Sequence, residues 1–168
     1  MHKTILAAVM ATGLMVTPAF ADCDTISSQN LKLSACIDAS DWELQTPQGD
    51  QEFLYFSGDQ TVGFTIITEK ETFTASDFRG AVLTNAKNAN EGNDVTIVRE
   101  RVENVADKPW NAIEYQLGAA GEELTFQNFY YSQPGLGSVQ IVFWSLPSDA
   151  TVAAYRAGKL LNTVQYGR

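Results

Sequence analysis

An α+β domain built on one antiparallel sheet of six to seven strands is what the 168 residues predict, and three observations carry the prediction. Short runs with period-two alternation or β-branched and aromatic enrichment recur along the chain, bounded by Gly, Asp, Asn or Pro. Two segments, one central and one terminal, switch to helical spacing. The late strands carry large apolar residues on both parities, so the sheet needs cover on both faces. The order read from these signals is ββ(β), α, ββββ, α, a single domain.

The chain opens on His2 and Lys3, followed by the apolar run 5–16, then Pro18 and the small-residue frame Ala19-Phe20-Ala21. That is the order of a cleavable secretory signal, with the cut expected after Ala21. The run is shorter than the roughly 20 apolar residues of a spanning helix. Lipid attachment at Cys23 requires a small residue directly before it, but Asp22 stands there, with Phe20 where an aliphatic residue is usual. The expected product is a soluble periplasmic or secreted domain over residues 22–168.

The sequence holds 11 Lys and Arg against 20 Asp and Glu, a net charge of −9. Cleavage would remove Lys3 and the lone His2, leaving a charge of −10 and no histidine. Triads that need His and His-ligated zinc are then excluded from the product. Phosphate recognition needs clustered Lys and Arg, so nucleic acid and anionic membranes are not expected partners. Solubility is the simplest reason for the acidity.

Cys23 and Cys36 are the two cysteines. Their spacing is unlike the C-x-x-C of redox or metal sites, and export places them where disulfides persist, so a structural bond closing a loop of about 14 residues is expected.

Leu31, Leu33, Ala35 and Ile37 alternate as a half-buried strand, and 38–47 reads as a turn with Trp42 and Leu44 packed beneath it. Runs 52–57 (EFLYFS) and 61–69 (TVGFTIITE), separated by Gly58-Asp59-Gln60, form a hairpin signal. From Ala75, residues Phe78, Val82, Leu83 and Ala86 predict a helix capped by Ser76 and broken near Gly92. Strands follow over 94–102, 109–117, 122–132 and 138–146; Ala119-Ala120-Gly121 and Gln133-Pro134-Gly135 turn the last three into a meander. The closing helix is predicted from Ser148 as cap, with Val152, Tyr155, Leu160, Leu161 and Val164 along one face and Lys159 and Arg168 toward its C-terminal end.

The phrases 102–115 (VENVADKPWNAIEY), 124–131 (LTFQNFYY) and 139–145 (VQIVFWS), followed by a terminal helix carrying Lys159-Leu160-Leu161, resemble the PsbP-like superfamily. Within it they are most similar to the bacterial DcrB-like branch of small envelope proteins. The resemblance spans about residues 31–164 and implies an antiparallel sheet sandwiched between helices, in α/β/α layers. It also implies a largely non-enzymatic membership: an extrinsic subunit of the photosynthetic water-oxidising complex, a nuclear Ran-binding factor, and bacterial adaptors or chaperones. Envelope members are often lipoproteins, from which Asp22 before Cys23 departs. No family motif for a metal or substrate maps onto individual residues.

No nucleophile elbow, Walker loop or dinucleotide fingerprint occurs, and no cofactor is expected. Gly135-Leu136-Gly137 reads as a turn rather than a phosphate cradle. Asp38 with Asp41, and Glu122-Glu123, are the acids that a carboxylate hydrolase or a Ca²⁺ site would draw on, but they read more simply as loop and turn residues. Trp110, Tyr130, Tyr131 and Trp144 are the candidate ligand or partner surface, set against core packing as the plainer role. Tyr130 and Tyr131 are adjacent and must point to opposite faces, so at least one lies under a helix, in a pocket or at a partner surface. The leading expectation is an exported binding module that engages an envelope protein or an apolar ligand. Alternatives are a carboxylate-based hydrolase or Ca²⁺-dependent protein, and a periplasmic inhibitor or immunity protein with an acidic blocking face.

Overall fold

A computed structural model describes residues 23–119 and 123–167. The secretory signal, Glu122 and Arg168 lie outside them. The expected architecture is observed: one α+β domain with a seven-stranded antiparallel sheet, two helices, and a small second sheet of three strands.

The first elements are β1 (Asp24–Ser27), β2 (Leu33–Ile37), β3 (Trp42–Gln45), β4 (Gln51–Ser57) and β5 (Val62–Glu69). The helix α1 (Ala75–Ala89) leads to β6 (Thr96–Val105), β7 (Lys108–Leu117), β8 (Leu124–Gln133) and β9 (Gly137–Ser145). A short 3₁₀ turn, Pro147–Asp149, precedes α2 (Ala150–Leu161), and β10 (Gln165–Tyr166) closes the chain. The large sheet runs β3-β4-β5-β9-β8-β7-β6. After β5 the chain crosses one face as α1, reaches the far edge as β6, and returns by the meander to pair β9 with β5.

One face of the sheet carries the larger core. Val62, Phe64, Trp110, Phe129, Ile141 and Phe143 pack there against Ala153, Ala157, Leu160 and Leu161 of α2, with β2 and Tyr166 of β10 completing the cover. On the opposite face, Phe78, Val82 and Ala86 of α1 meet Ile113, Tyr115 and Tyr130. A helix is about 10 Å wide and strands lie about 4.8 Å apart, so α1 roofs about two of the seven strands.

Several local expectations change. The span 38–47 is a turn only as far as Asp41; Trp42 then starts the edge strand β3, where Trp42 is buried but Leu44, near the strand's end, is 64% exposed. The cap of α1 is Thr74, whose Oγ1 accepts from the Asp77 N–H at 3.1 Å, two residues earlier than the expected Ser76 cap. Ser148 falls inside the 3₁₀ turn, and no side-chain bond caps α2. Along α2 the inward stripe is small, Ala153 and Ala157, which brings the helix close to the sheet; Val152 and Tyr155, the latter 70% exposed, turn outward. The strand expected at 94–102 runs to Val105, because Ala106 and Asp107 both take positive φ and make a two-residue hairpin without glycine.

β1 and β10 were not legible. Both pair with β2, so the first expected strand is the centre of the small sheet and not part of the large one. The disulfide Cys23–Cys36 ties the start of β1 to β2.

Candidate functional site

The open part of the α1 face lies over β5, β9 and β8. One cross-strand row on that face holds Phe56 opposite Gly63, Gly63 opposite Trp144, Trp144 opposite Phe126, and Phe126 opposite Tyr115. Trp144 reaches across the glycine to meet Phe56 edge-on at 5.6 Å. Farther along, Phe126 and Tyr115 stack at 5.3 Å with planes 7° apart. The row is therefore a belt of rings, each carried by a different strand and held in order by the ladder register.

Between this belt and α1 runs a groove of about 380 Å³. Val82, Asn85, Ala86 and Ala89 of α1 form one wall, and Val142, Trp144 and Phe126 lie on the sheet side. Gln51, Gln140 and Asn85 supply carboxamides, and among the described residues no Asp, Glu, Lys or Arg lines the groove. In a chain of net charge −9 that neutrality is a local property of this face. Tyr115 is raised above the usual tyrosine range by burial, partly offset by the Asn128 carboxamide, so the phenol is neutral at physiological pH.

The four aromatic residues singled out from sequence do not share a surface. Trp110 is fully buried on the α2 face, stacked on Tyr131 at 5.9 Å. Tyr131 is half-buried there beneath the Lys108 ammonium, 5.9 Å from its ring. Tyr130 is buried under α1, 5.0 Å from Phe78. Trp144 alone of the four lines the groove. Phe56, Phe126 and Tyr115 are the partners that sequence reasoning missed; Gly63, a lone glycine inside a β-branched run, was the available signal of a close approach.

Asp38 and Asp41 border a different pocket, beside the disulfide, and already face a cation: Lys159 Nζ lies 2.9 Å from Asp41 and 3.9 Å from Asp38. Nearby, the Arg156 guanidinium holds the Asp59 carboxyl well below the usual carboxylate range, with Ser57 and Thr61 donating as well. That ion pair pins the β4–β5 hairpin to α2. Among the described residues, no group of three or more His, Cys, Asp or Glu is placed to hold a metal ion.

No family model matches the sequence, and no curated protein matches it. Solved structures do. The solution structure of cyanobacterial PsbP (CyanoP) from Synechocystis aligns with 94% of this chain and 98% of its own, at a TM-score of 0.64 and 8% identity. The fold is PsbP-like. A crystal structure from Bacteroides thetaiotaomicron aligns at a TM-score of 0.56 and 15% identity over 81% of this chain. The present chain spans only 45% of that protein's length. At these identities the likeness concerns the arrangement of strands and helices alone.

Proposed function

We propose that this protein is a non-enzymatic binding module of the cell envelope, which takes an uncharged apolar ligand in the groove between α1 and the Trp144 belt. One observation carries the reading: a groove with aromatic and aliphatic walls, lined by no charged side chain among the described residues, opens on an acidic chain. Ligand pockets are typically of this kind, mostly apolar with a few polar groups that orient the guest. The carboxamides of Gln51, Gln140 and Asn85 suit that orienting role. An envelope location is supported by the disulfide and by the secretory pattern of residues 1–21. No helix among the described residues is long and apolar enough to cross a membrane. Assignment to the DcrB-like branch has the sequence phrases at 102–115, 124–131 and 139–145 as its support.

The test is titration with a neutral apolar fluorophore, N-phenyl-1-naphthylamine, read by energy transfer from tryptophan. Saturable binding is expected, weakened at least tenfold by Trp144→Ala and by Ala89→Trp, which fills the groove from an exposed helix position. Absence of saturable binding, or equal binding by both variants, overturns the reading. Hydrolytic turnover lost on substitution of one carboxylate would overturn the non-enzymatic part.

A further inference from the structure

The two edges of the large sheet are unlike. β3, at one end, is four residues long, a short edge of the kind that resists pairing. β6, at the other, is ten residues long, and Ile97, Val98 and Val102 on it are exposed. Its ladder to β7 is irregular between Ile97 and Arg99 and then continuous from Arg99 to Val105. A long regular edge is a template for another strand. β6 ends the strand order, so its outer edge has no strand partner among the described residues; the helices meet it through side chains, Arg79 of α1 with Glu100, and Ala154 and Gly158 of α2 beside Arg101 and Glu103.

The sequence of the regular stretch selects what can pair with it. A second copy, added antiparallel about a two-fold axis normal to the sheet, keeps each residue on its own face and places one residue opposite itself. With Arg99, Glu100, Arg101 or Glu103 on the axis, that residue meets its own charge, which is destabilising; the Arg101 register does pair Arg99 with Glu103, but only with two guanidinium groups opposed at its centre. With Val98 on the axis, the pairing runs into the irregular end of the strand. With Asn104 or Val105 on the axis, the pairing runs past the end of the strand into the hairpin turn at Ala106 and Asp107. Val102 is the remaining choice, and it is 64% exposed. Arg101 then lies opposite Glu103 of the second copy, and Glu103 opposite Arg101. Within one chain Arg101 already bridges Glu103, so the four side chains form a square of alternating sign on one face.

We propose that β6 is a homodimer edge, pairing antiparallel with β6 of a second copy about Val102, so that the two large sheets join into one. The partner is this chain itself because one register of its edge pairs opposite charges without setting any like charges against each other. A like-charged or unpatterned strand would gain nothing from Arg101 and Glu103.

The test is site-directed cross-linking with molar mass in solution. Val102→Cys is expected to form a disulfide-linked dimer under mild oxidation, because directly opposed residues have Cβ atoms about 5 Å apart. Thr96→Cys is the control: twelve residues of offset put its two copies roughly 40 Å apart, so no such dimer is expected. The unmodified protein should show a mass that rises toward twice the chain mass with concentration, and Val102→Lys, which sets two ammonium groups across the axis, should remain monomeric. Val102 is an exposed edge residue, so these variants leave the core intact. A constant monomer mass together with equal cross-linking at 96 and 102 overturns the proposal, as does a Val102→Lys protein that dimerises like the parent.

Discussion

The indole of Trp144 lies over Gly63, so that a Cβ built at Gly63 would overlap the ring. Gly63→Ala must therefore push the ring away from Phe56 and into the groove. The expected cost is about 1–3 kcal/mol, the usual range for overpacking. Denaturant unfolding measures the loss, and a shift in tryptophan emission shows that Trp144 has moved. An unchanged spectrum and unchanged stability would contradict the arrangement.

Helix α1 forms the other wall, and its start depends on Thr74. Thr74→Ala should cost about 1 kcal/mol, the typical value of a lost N-cap. Ser76→Ala, two residues on, should leave stability close to that of the parent. Measuring both in parallel separates the observed cap from the one the sequence suggested.

Reduction of Cys23–Cys36 should destabilise the protein by about 3 kcal/mol, from the chain-entropy cost of a loop of about 14 residues. The bond holds β1, an outer strand of the small sheet, on β2. Unfolding with and without reductant gives the difference, and intact mass reads the oxidised state as two hydrogens missing. A chain starting at Asp22 in the same spectrum would establish the expected cleavage.

Burial, with the nearby Tyr131 hydroxyl adding to it, pushes Tyr166 up to about 12 from 10.0. Its hydroxyl donates to the Gly137 carbonyl at 2.9 Å. As pH rises through 10 the unfolded chain releases this proton while the folded one retains it, so the unfolded state binds fewer protons and stability falls. The contribution is fully present below pH 10 and is lost by about pH 12. Tyr166→Phe should flatten part of that alkaline decline, at a cost near 1 kcal/mol at neutral pH for the lost hydrogen bond. Tyr55, Tyr115 and Tyr130, raised by burial, and Lys159, raised by its hydrogen bond to Asp41, add to the remaining slope.

Much of the fold was readable because its elements advertise themselves locally. The β4–β5 hairpin, the meander β7–β9 and the Phe78-Val82-Ala86 stripe of α1 each have a period and a turn that neighbouring residues state without help. The disulfide was readable from spacing and expected compartment. What escaped was short or non-local: β1 and β10 are four and two residues long and exist only because β2 offers them an edge. α2 was readable at Leu160 and Leu161 but escaped over its first two turns, where the inward residues are Ala153 and Ala157, whose burial reflects a close approach and not their own hydrophobicity.

The sequence by itself determined that the sheet is aromatic on both faces, that two helices accompany it, and that the chain is acidic with two cysteines placed to pair. Only the tertiary structure decided which rings became core and which became surface. Trp110 and Tyr130 are hidden, whereas Trp144 lines an open groove, because one helix about 10 Å wide cannot roof seven strands and α1 settled over the β7–β8 side. The pairing of β5 with β9 then put Gly63 beneath Trp144, a contact between residues far apart in the chain that no local pattern could announce.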